Sequence, residues 1–430
     1  MITRVPLLLN LDFATKEIHS DEEIRAALEE KDRGAVMVRA TTFGAPVAPT
    51  GSPRDWEGAA DAVFRVAHEV ERANRAQGGT VRVIVTGRAG LPLFVQLGAE
   101  LSGRALDLTL LDRRQTDATW DRLDFGPAAA GAVAGGGPFF EVREGFELNA
   151  STGRVAVTVS TGPARAPGAA RTFLEKMGEP VAGCVEIRTH QFSPDRQSVK
   201  YLDRDTAQAA AAELAELFER LTRSYPGTRR LAVFVDGPST LAFLVGRAIV
   251  LRRNHSDVWV PSFHDGEYHD AIRLPHLPKV DVFVIHDRSD AAFVERLDKK
   301  PVWARWRLAH AGLMMPGDPM ESVSRRWLDA AEIVVVVVSP SSLSNKEAWA
   351  LVQRALDRRS ITGTRVIPLL ARQCDWKGVP QLTELRPLPS GERWLESPGN
   401  DPLWAEVDAE IRRTVEEVRT ELFGEAASPG

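Results

Sequence analysis

Apolar and polar positions repeat one local pattern twice in this chain. Residues 81–101 read VRVIVTGRAGLPLFVQLGAEL, and residues 231–249 read LAVFVDGPSTLAFLVGRAI. Each segment begins with an apolar, β-branched run, passes through a turn of small residues and continues with apolar positions at helical spacing. Each segment therefore predicts a buried strand, a tight turn and a helix.

The elements around the two segments recur in the same order. A long helix and a closing strand accompany the first segment at residues 55–76 and 106–111, and the second at residues 204–224 and 257–260. Such recurrence is what an internal duplication gives. Three further elements are predicted here: a helix over 21–31 that Ser20 and Glu23 open as a capping box, and strands over 34–39 and 181–188.

A different pattern begins at residue 278. VDVFVIHD, IVVVVVSP and TRVIPLLA predict three buried strands, with helices over 289–298 and 346–359 and a closing helix over 402–422. Apolar strands alternating with helices are typical of a parallel α/β sheet. We expect an α/β protein in four segments: a first half over 1–126, a low-complexity linker over 127–138, a second half over 139–277 and a separate unit over 278–425.

Composition narrows the class of protein. The 430 residues suit two or three domains, and 43% hydrophobic residues are enough for sizeable cores. A net charge of −5 argues against duplex nucleic acid as a partner, although a few local arginines suffice for a small anion. The two cysteines give no disulfide framework, and no apolar run reaches the roughly 20 residues of a membrane helix. Without a signal-peptide pattern, we expect a cytoplasmic protein that does not bind membranes.

The two repeated turns are the first candidate site. In a parallel sheet such turns lie at the carboxyl ends of strands, where helix N–H groups face a bound anion. Two copies therefore predict a pocket with two-fold pseudosymmetry. The candidate ligand-binding residues are Arg88, Ala89, Gly90, Arg113, Arg114 and Trp120 in the first half, and Asp236, Gly237, Pro238, Ser239, Thr240 and Tyr268 in the second. The alternative is that the turns only connect strand to helix, that the aromatic rings belong to the core and that the arginines are solvated.

These segments resemble a known sensor family. GRAGLPLFVQLGAEL with LDRRQTDATW, and DGPSTLAFLVGRAI with HDGEYHDAIRLP, resemble the two halves of a SAVED domain. The resemblance covers about the first 277 residues. It implies two Rossmann-like, CARF-type halves that together bind a cyclic oligonucleotide, such as a cyclic oligoadenylate or a related cyclic nucleotide.

Residues 278–425 resemble a bacterial TIR domain, which has a flavodoxin-like parallel sheet. The segments that carry this resemblance are VDVFVIHDRSDAAFVERL, LMMPGDPMESVSRRWLDAAEIVVVVVSPSSLSN and TRVIPLLARQCDWKGVPQL. A SAVED domain joined to a TIR domain implies an antiviral effector of a CBASS or type III CRISPR system. Its ligand would drive self-assembly into oligomers, or into filaments where the contact does not close.

Many bacterial TIR domains cleave NAD with a glutamate on the helix after the central strand. Counted from Trp349, that family position is Gln353, an amide that can hydrogen-bond a ribose but supplies no negative charge. A shifted alignment makes Glu347 the catalytic carboxylate, six residues earlier and on another face of an ideal helix. The resemblance also assigns further residues to the TIR assembly surface or the NAD pocket: His286, Trp306, Pro316, Gly317 and Asp318.

Three functions therefore stay open. The first is a ligand-gated NAD glycohydrolase, and the second is a catalytically silent TIR domain that recruits another effector protein. The third, a metabolic nucleotide enzyme, is disfavoured because neither turn is a full GxGxxG. No metal-ligand spacing occurs, and no permanently bound cofactor is expected: the cyclic oligonucleotide would be the activator, and NAD the substrate of the first alternative.

Overall fold

The computed structural model describes residues 5–14, 19–44, 53, 55–77, 80–102, 106–113, 119–125, 139–144, 153–161, 167–189, 204–225, 230–249, 257–276, 279–298, 306–314, 320–391, 393–396 and 401–423. The chain divides into two compact units, Met1–His276 and Leu277–Gly430. The predicted linker over 127–138 lies outside the described residues.

The first unit contains two sheets, one in each half. The five-stranded sheet has the order β2-β1-β3-β4-β5, and the six-stranded sheet has the order β11-β10-β9-β7-β8-β6. The strands of the first sheet are β1 (Leu7–Asp12), β2 (Val36–Arg39), β3 (Arg82–Arg88), β4 (Asp107–Arg113) and β5 (Trp120–Phe125). Those of the second are β6 (Phe140–Glu144), β7 (Arg154–Ser160), β8 (Val181–Thr189), β9 (Arg230–Asp236), β10 (Asp257–His264) and β11 (Glu267–Leu274).

The two sheets share one topology. Five neighbours in the second sheet, β8-β7-β9-β10-β11, repeat the order β2-β1-β3-β4-β5 of the first. The pairs β4–β5 and β10–β11 are antiparallel, and the other pairs of both sets are parallel. The second sheet has one more strand, β6, which pairs antiparallel with β8 at the edge. The predicted α/β class with two equivalent halves is therefore confirmed.

Helices lie between the strands of each half. They are α1 (Asp21–Ala26), α2 (Trp56–Gln77), α3 (Leu91–Glu100), α4 (Pro167–Lys176), α5 (Arg204–Ser224) and α6 (Ser239–Ala248). The Ser20–Glu23 capping box is present, but α1 is shorter than the predicted helix over 21–31, since a separate 3-10 turn covers Glu30–Asp32. The apolar amino-terminal stretch forms the buried strand β1 next to β3, a position that the sequence pattern did not predict.

Helices α3 and α6 pack backbone against backbone. A Cβ atom on Gly98 would overlap the carbonyl oxygen of Phe243, and one on Gly246 would overlap that of Val95. These two glycines come from the two copies of the repeated pattern, so the close approach joins equivalent helices. Because protein interiors have few voids, this contact fixes how the two helices cross.

Arg154 begins β7 and is fully buried, at 0% exposure. Its Nη2 atom donates to Asp257 Oδ2 at 2.5 Å and its Nε atom to Glu179 Oε2 at 3.2 Å. Burial raises the pKa of Asp257, but the hydrogen bond and charge of Arg154 outweigh burial and hold that pKa below its ordinary value. The guanidinium therefore ties β7 to β10, the strand two positions away, through the Asp257 carboxylate, which stays ionised at neutral pH.

Arg154→Lys is expected to lower the free energy of unfolding by about 2 kcal/mol, because an ammonium cannot reproduce the planar set of donors in this buried position. Urea unfolding monitored by tryptophan fluorescence measures the change. The matched control is Arg143→Lys, since Arg143 is exposed and forms a surface ion pair with Glu141. Equal midpoints for the two variants would contradict the prediction.

The second unit has a single parallel sheet in the order β13-β12-β14-β15, which is the flavodoxin-like order 2-1-3-4. Its strands are β12 (Val280–Ile285), β13 (Trp306–His310), β14 (Ile333–Val338) and β15 (Arg365–Leu370). Its helices are α7 (Ala291–Asp298), α8 (Met320–Ala330), α9 (Pro340–Ser344), α10 (Lys346–Thr362), α11 (Pro380–Thr383) and α12 (Asp401–Phe423). Every residue of β14 is buried, alternately in the apolar clusters on the two faces of the sheet.

In the part of the chain that the structure describes, none of the helices is long and apolar enough to cross a bilayer.

Candidate functional site

The first repeated turn follows β3. Arg88 pairs in register with Asp12 of β1, and the Arg88 carbonyl accepts a hydrogen bond from Phe13 N at 3.1 Å. Gly87 has φ +134°, and a Cβ there would lie 2.6 Å from Leu11 N, so glycine is required at this point of the turn. Gly90 is the N-cap of α3. Arg88, Ala89 and Gly90 are all half-buried at the carboxyl edge of the sheet.

The second repeated turn follows β9 and has the same placement. Asp236 pairs in register with Ser160 of β7, and its carbonyl accepts a hydrogen bond from Thr161 N at 3.1 Å. Pro238 is the N-cap of α6, Ser239 is the first residue of the helix, and Thr240 is buried. A Cβ on Gly237 would lie 2.9 Å from the Leu241 side chain and 3.0 Å from Thr161 Oγ1.

Asp112, near the end of β4, connects the two halves. Its carboxyl group interacts with the Ser239 side chain and lies near Arg88 and Asp121. Burial raises the pKa of Asp112 to about 6, with a contribution from the negative charge of Asp121, against the lowering effects of Ser239, the Arg113 backbone and Arg88. Arg88 and Ser239, two predicted ligand-binding residues from different halves, thus both lie close to the Asp112 carboxylate.

The pKa of Asp112 gives a stability prediction. The folded carboxyl keeps its proton up to about pH 6, whereas in an unfolded chain it ionises near pH 4. Between these values the folded state binds more protons, so stability falls as the pH rises. We expect Asp112→Asn to gain about 2 kcal/mol at pH 7.5 and little near pH 4, as thermal unfolding at both pH values will show. A variant with no gain at pH 7.5 would refute this account.

Arg113 and Trp120 form an adjacent cluster with His19. Arg113 and Trp120 are register partners across β4 and β5. Arg113 Nη1 lies 2.9 Å from His19 Nδ1, and the rings of His19 and Trp120 meet edge to face at a centroid distance of 4.9 Å. Both predicted residues are half-buried, and Arg114 lies outside the described residues.

Tyr268 does not have the position expected for a ligand contact. The residue is buried in β11 among aromatic rings, with the centroid of Phe234 at 4.7 Å and that of Phe263 at 5.0 Å. Its ring faces are therefore used in packing, as in the alternative that places it in the core. The sequence also gave no sign that His264 and His269 would meet, yet their rings stack at 3.7 Å beside the β10–β11 turn.

A cavity of about 610 Å³ lies in the second unit between β12, α8 and α10. Its polar lining comprises His286, Glu321, Ser324, Arg325, Asn345, Lys346, Glu347 and Arg354. Glu347 is therefore the α10 carboxylate that reaches this cavity. Gln353 does not line it, because six residues of helix place its side chain on another face, where it is half-buried.

The first turn of α10 holds Glu347 at the cavity. Asn345 is the N-cap, and its Oδ1 atom accepts hydrogen bonds from the N–H groups of Glu347 at 3.0 Å and Ala348 at 3.1 Å. Asn345 Nδ2 in turn donates to Asp287 Oδ2 at 2.9 Å. Hydrogen bonds from the Ser289 backbone and from Asn345 lower the pKa of Asp287, so this anchoring carboxylate stays ionised.

His286 lies at the cavity rim after β12. Its Nδ1 atom is 2.8 Å from the Asp287 carbonyl oxygen, and its ring centroid is 5.8 Å from that of His310. Burial, followed by the nearby His286, lowers the pKa of His310 and favours its neutral form. Trp306 packs half-buried against the apolar cluster of the sheet, and Pro316, Gly317 and Asp318 lie outside the described residues.

Comparison with known proteins supports the assignment of the first unit. The family model described as the SMODS-associated and fused to various effectors sensor domain, SAVED, matches residues 65–274. We call residues 65–274, which match this model, the SAVED region. No curated protein matches the chain.

Solved structures of two kinds resemble parts of the chain. The Acinetobacter baumannii Cap4 SAVED/CARF-domain receptor with the cyclic trinucleotide 2′3′3′-cAAA is 15% identical, with a TM-score of 0.42, over 63% of this chain and 52% of the receptor. Its complex with 3′3′3′-cAAA gives a TM-score of 0.41 at the same identity and coverage. This chain thus spans about half the length of that receptor. The TIR domain of a Toll-related receptor from Hydra magnipapillata is 19% identical, with a TM-score of 0.23, over 31% of this chain and 99% of that domain.

Sequence reasoning missed Asp112, the residue that links the two halves of the SAVED region. The available signal was the acid that ends the apolar run of β4, one residue before the predicted Arg113. For metals, the described residues contain no group of three or more histidine, cysteine, aspartate or glutamate side chains suited to holding an ion.

Proposed function

We propose that the first unit is a sensor that binds a cyclic oligonucleotide between its two halves, and that ligand binding drives self-assembly and switches on the second unit. The observation that carries the sensor proposal is the meeting of Arg88 and Ser239, one from each repeated turn, at Asp112. The carboxyl edges of both sheets supply helix N-termini and an arginine, which suit phosphates and polar base edges. The SAVED match supports the same assignment.

For the second unit we propose a TIR-type NAD glycohydrolase within a cytoplasmic antiviral system of the CBASS or type III CRISPR kind. The observation that favours an enzyme is the carboxylate of Glu347 at a cavity that also holds Arg325, Arg354 and Lys346. A carboxylate can stabilise the positive charge that develops on a ribose as the bond to nicotinamide breaks. The cations can pair with the diphosphate of NAD.

A catalytically silent TIR domain is the second candidate. Gln353, an amide at the position where the family resemblance places its glutamate, favours this alternative. In that case the ligand-assembled protein is a scaffold that recruits another effector protein, and its own cavity turns over no NAD.

One experiment separates these functions. Purified full-length protein is incubated with a fluorogenic NAD analogue and a panel of cyclic di-, tri- and tetranucleotides, while light scattering follows assembly. Ligand-dependent cleavage is the expected result, and scattering without cleavage supports the scaffold. The absence of both cleavage and scattering would contradict both functions.

The Arg88→Gln variant should lose at least ten-fold in ligand affinity, whereas Arg143→Gln, at an exposed position of β6, should bind normally.

A further inference from the structure

The two halves of the first unit present different chemistry at equivalent positions. Asp107 begins β4 in register with Arg82, and Asp257 begins β10 in register with Arg230, so these two aspartates correspond. Asp112 lies five residues after Asp107 on β4, and Ser262 lies five residues after Asp257 on β10. The pseudosymmetry of the fold is therefore broken at this position of the two strands.

The partners of these residues differ as well. Asp112 lies opposite Asp121 on β5, whereas Ser262 lies opposite His269 on β11. His269 stacks on His264, so the second half offers imidazole rings where the first half offers two carboxylates. At this pair of positions the carboxylates occur in the first half only, although Asp236 supplies a carboxylate at the second repeated turn.

The Asp112 carboxylate suits a hydrogen-bond donor rather than a phosphate. Asp112 lies opposite Asp121 in the β4–β5 register, and the Ser239 side chain of α6 and Arg88 of β3 lie near. Asp121 adds a second negative charge, which repels an anion at this point. An ionised carboxylate accepts up to about four hydrogen bonds, so Asp112 keeps capacity for a further donor.

A second observation at the same turn points to a polar ligand. Thr161 is 1% exposed, and its Oγ1 atom has no hydrogen-bond partner among the described residues. This atom lies beside Gly237, two residues before Ser239 in the same turn. A buried hydroxyl without a partner costs free energy in the unliganded fold, and a bound polar group would supply the missing partner.

We propose that Asp112 binds the exocyclic amino group of one base of the cyclic oligonucleotide and so selects the nucleotide at one position of the ring. This proposal rests on the sensor function of the first unit. Adenine, guanine and cytosine carry such an amino group, and uracil does not. Because Ser262 replaces the aspartate in the second half, the requirement applies to a single base.

The test uses three cyclic trinucleotides with the full-length protein in calorimetric titrations. The first contains three adenines, the second contains one adenine and two unsubstituted purines, and the third contains three unsubstituted purines. An unsubstituted purine lacks the amino group. The first two should bind within three-fold of each other, since a ring with one adenine can rotate to present it. The all-purine ring should bind about ten-fold more weakly, the difference expected for a charge-assisted hydrogen bond.

The Asp112→Asn variant should bind all three rings with about the affinity that the wild type shows for the all-purine ring. Its thermal unfolding at pH 7.5 checks that it is folded. The matched control is Asp107→Asn, the same change at the other end of β4, which should keep the ten-fold preference. A stepwise loss with each amino group, or an unchanged preference in Asp112→Asn, would overturn the selection while leaving the sensor function intact; no binding of any ring would overturn both.

A pH series adds a readout that a merely structural role would not move. The groups that face Asp112 are Asp121 of β5, Arg88 of β3 and Ser239 of α6, with Arg113 next to it on β4. Below about pH 6 the carboxyl gains a proton, so the wild-type preference for adenine should shrink, whereas the Asp112→Asn profile should stay flat. A preference independent of pH between 5 and 8 would overturn the proposal.

Discussion

Gly246→Ala is expected to destabilise the first unit by about 3 kcal/mol or more, the largest stability effect that we predict for one methyl group. The new Cβ would overlap the Val95 carbonyl oxygen and lie 2.9 Å from Ala99 N. Both are backbone atoms of α3, so neither can turn aside as a flexible side chain would. The two helices must separate, and buried contacts on both sides of the crossing are lost.

Urea unfolding measures this effect, and Gly98→Ala should behave alike because its Cβ would overlap the Phe243 carbonyl oxygen. The control is Gly168→Ala in α4, where nothing lies within 4 Å of the added Cβ. There alanine should be neutral or stabilising by up to about 1 kcal/mol, since it favours helix. Similar midpoints for Gly246→Ala and Gly168→Ala would show that the helices do not cross backbone against backbone.

Glu347→Gln is expected to reduce ligand-activated NAD cleavage at least about 100-fold, the loss typical when a preorganised electrostatic contact to the transition state is removed. Glu347 lines the cavity and is held in the first turn of α10 by the Asn345 cap. The change keeps the side chain's size and removes its charge. Steady-state rates with an NAD analogue and a saturating cyclic oligonucleotide provide the measurement.

Two further variants make the Glu347 result specific. Asp357→Asn removes an exposed carboxylate from the same helix, outside the cavity, and should keep full activity. Gln353→Ala tests the family position and should keep most of the activity, because Gln353 does not line the cavity. If Gln353→Ala lost activity and Glu347→Gln kept it, the catalytic residue would be Gln353, at the family position.

The repeated pattern predicted the main architecture because buried parallel strands and their helices leave strong periodic signals. β3 with α3, and β9 with α6, formed where the sequence indicated. The strand β5 was not predicted, because three of the six residues in WDRLDF are charged. In the fold, Arg122 pairs with Asp124 and Asp32. Local propensity cannot foresee such tertiary pairing.

The candidate site was only partly predictable for a related reason. Strand ends can be located from the pattern, so Arg88 and Ser239 could be named as candidates. Which strand end faces which helix depends on the packing of the two halves, and this packing brings Asp112 to Ser239 and buries Tyr268 among aromatic rings. In the second unit, the choice between Glu347 and Gln353 depends on the rotation of α10 about its axis, which an alignment on Trp349 does not fix.

The presence of both sheets in one polypeptide has an evolutionary consequence. In a homodimer, every substitution occurs at both symmetry-related positions, so a cyclic oligonucleotide bound between the subunits contacts the same groups on each side. Here Asp112 and its counterpart Ser262 are encoded separately and can diverge. Under the proposed sensor function, this divergence gives the binding site a polarity: a ligand with chemically distinct edges can be held in one orientation, and rings that differ in a single nucleotide can be told apart.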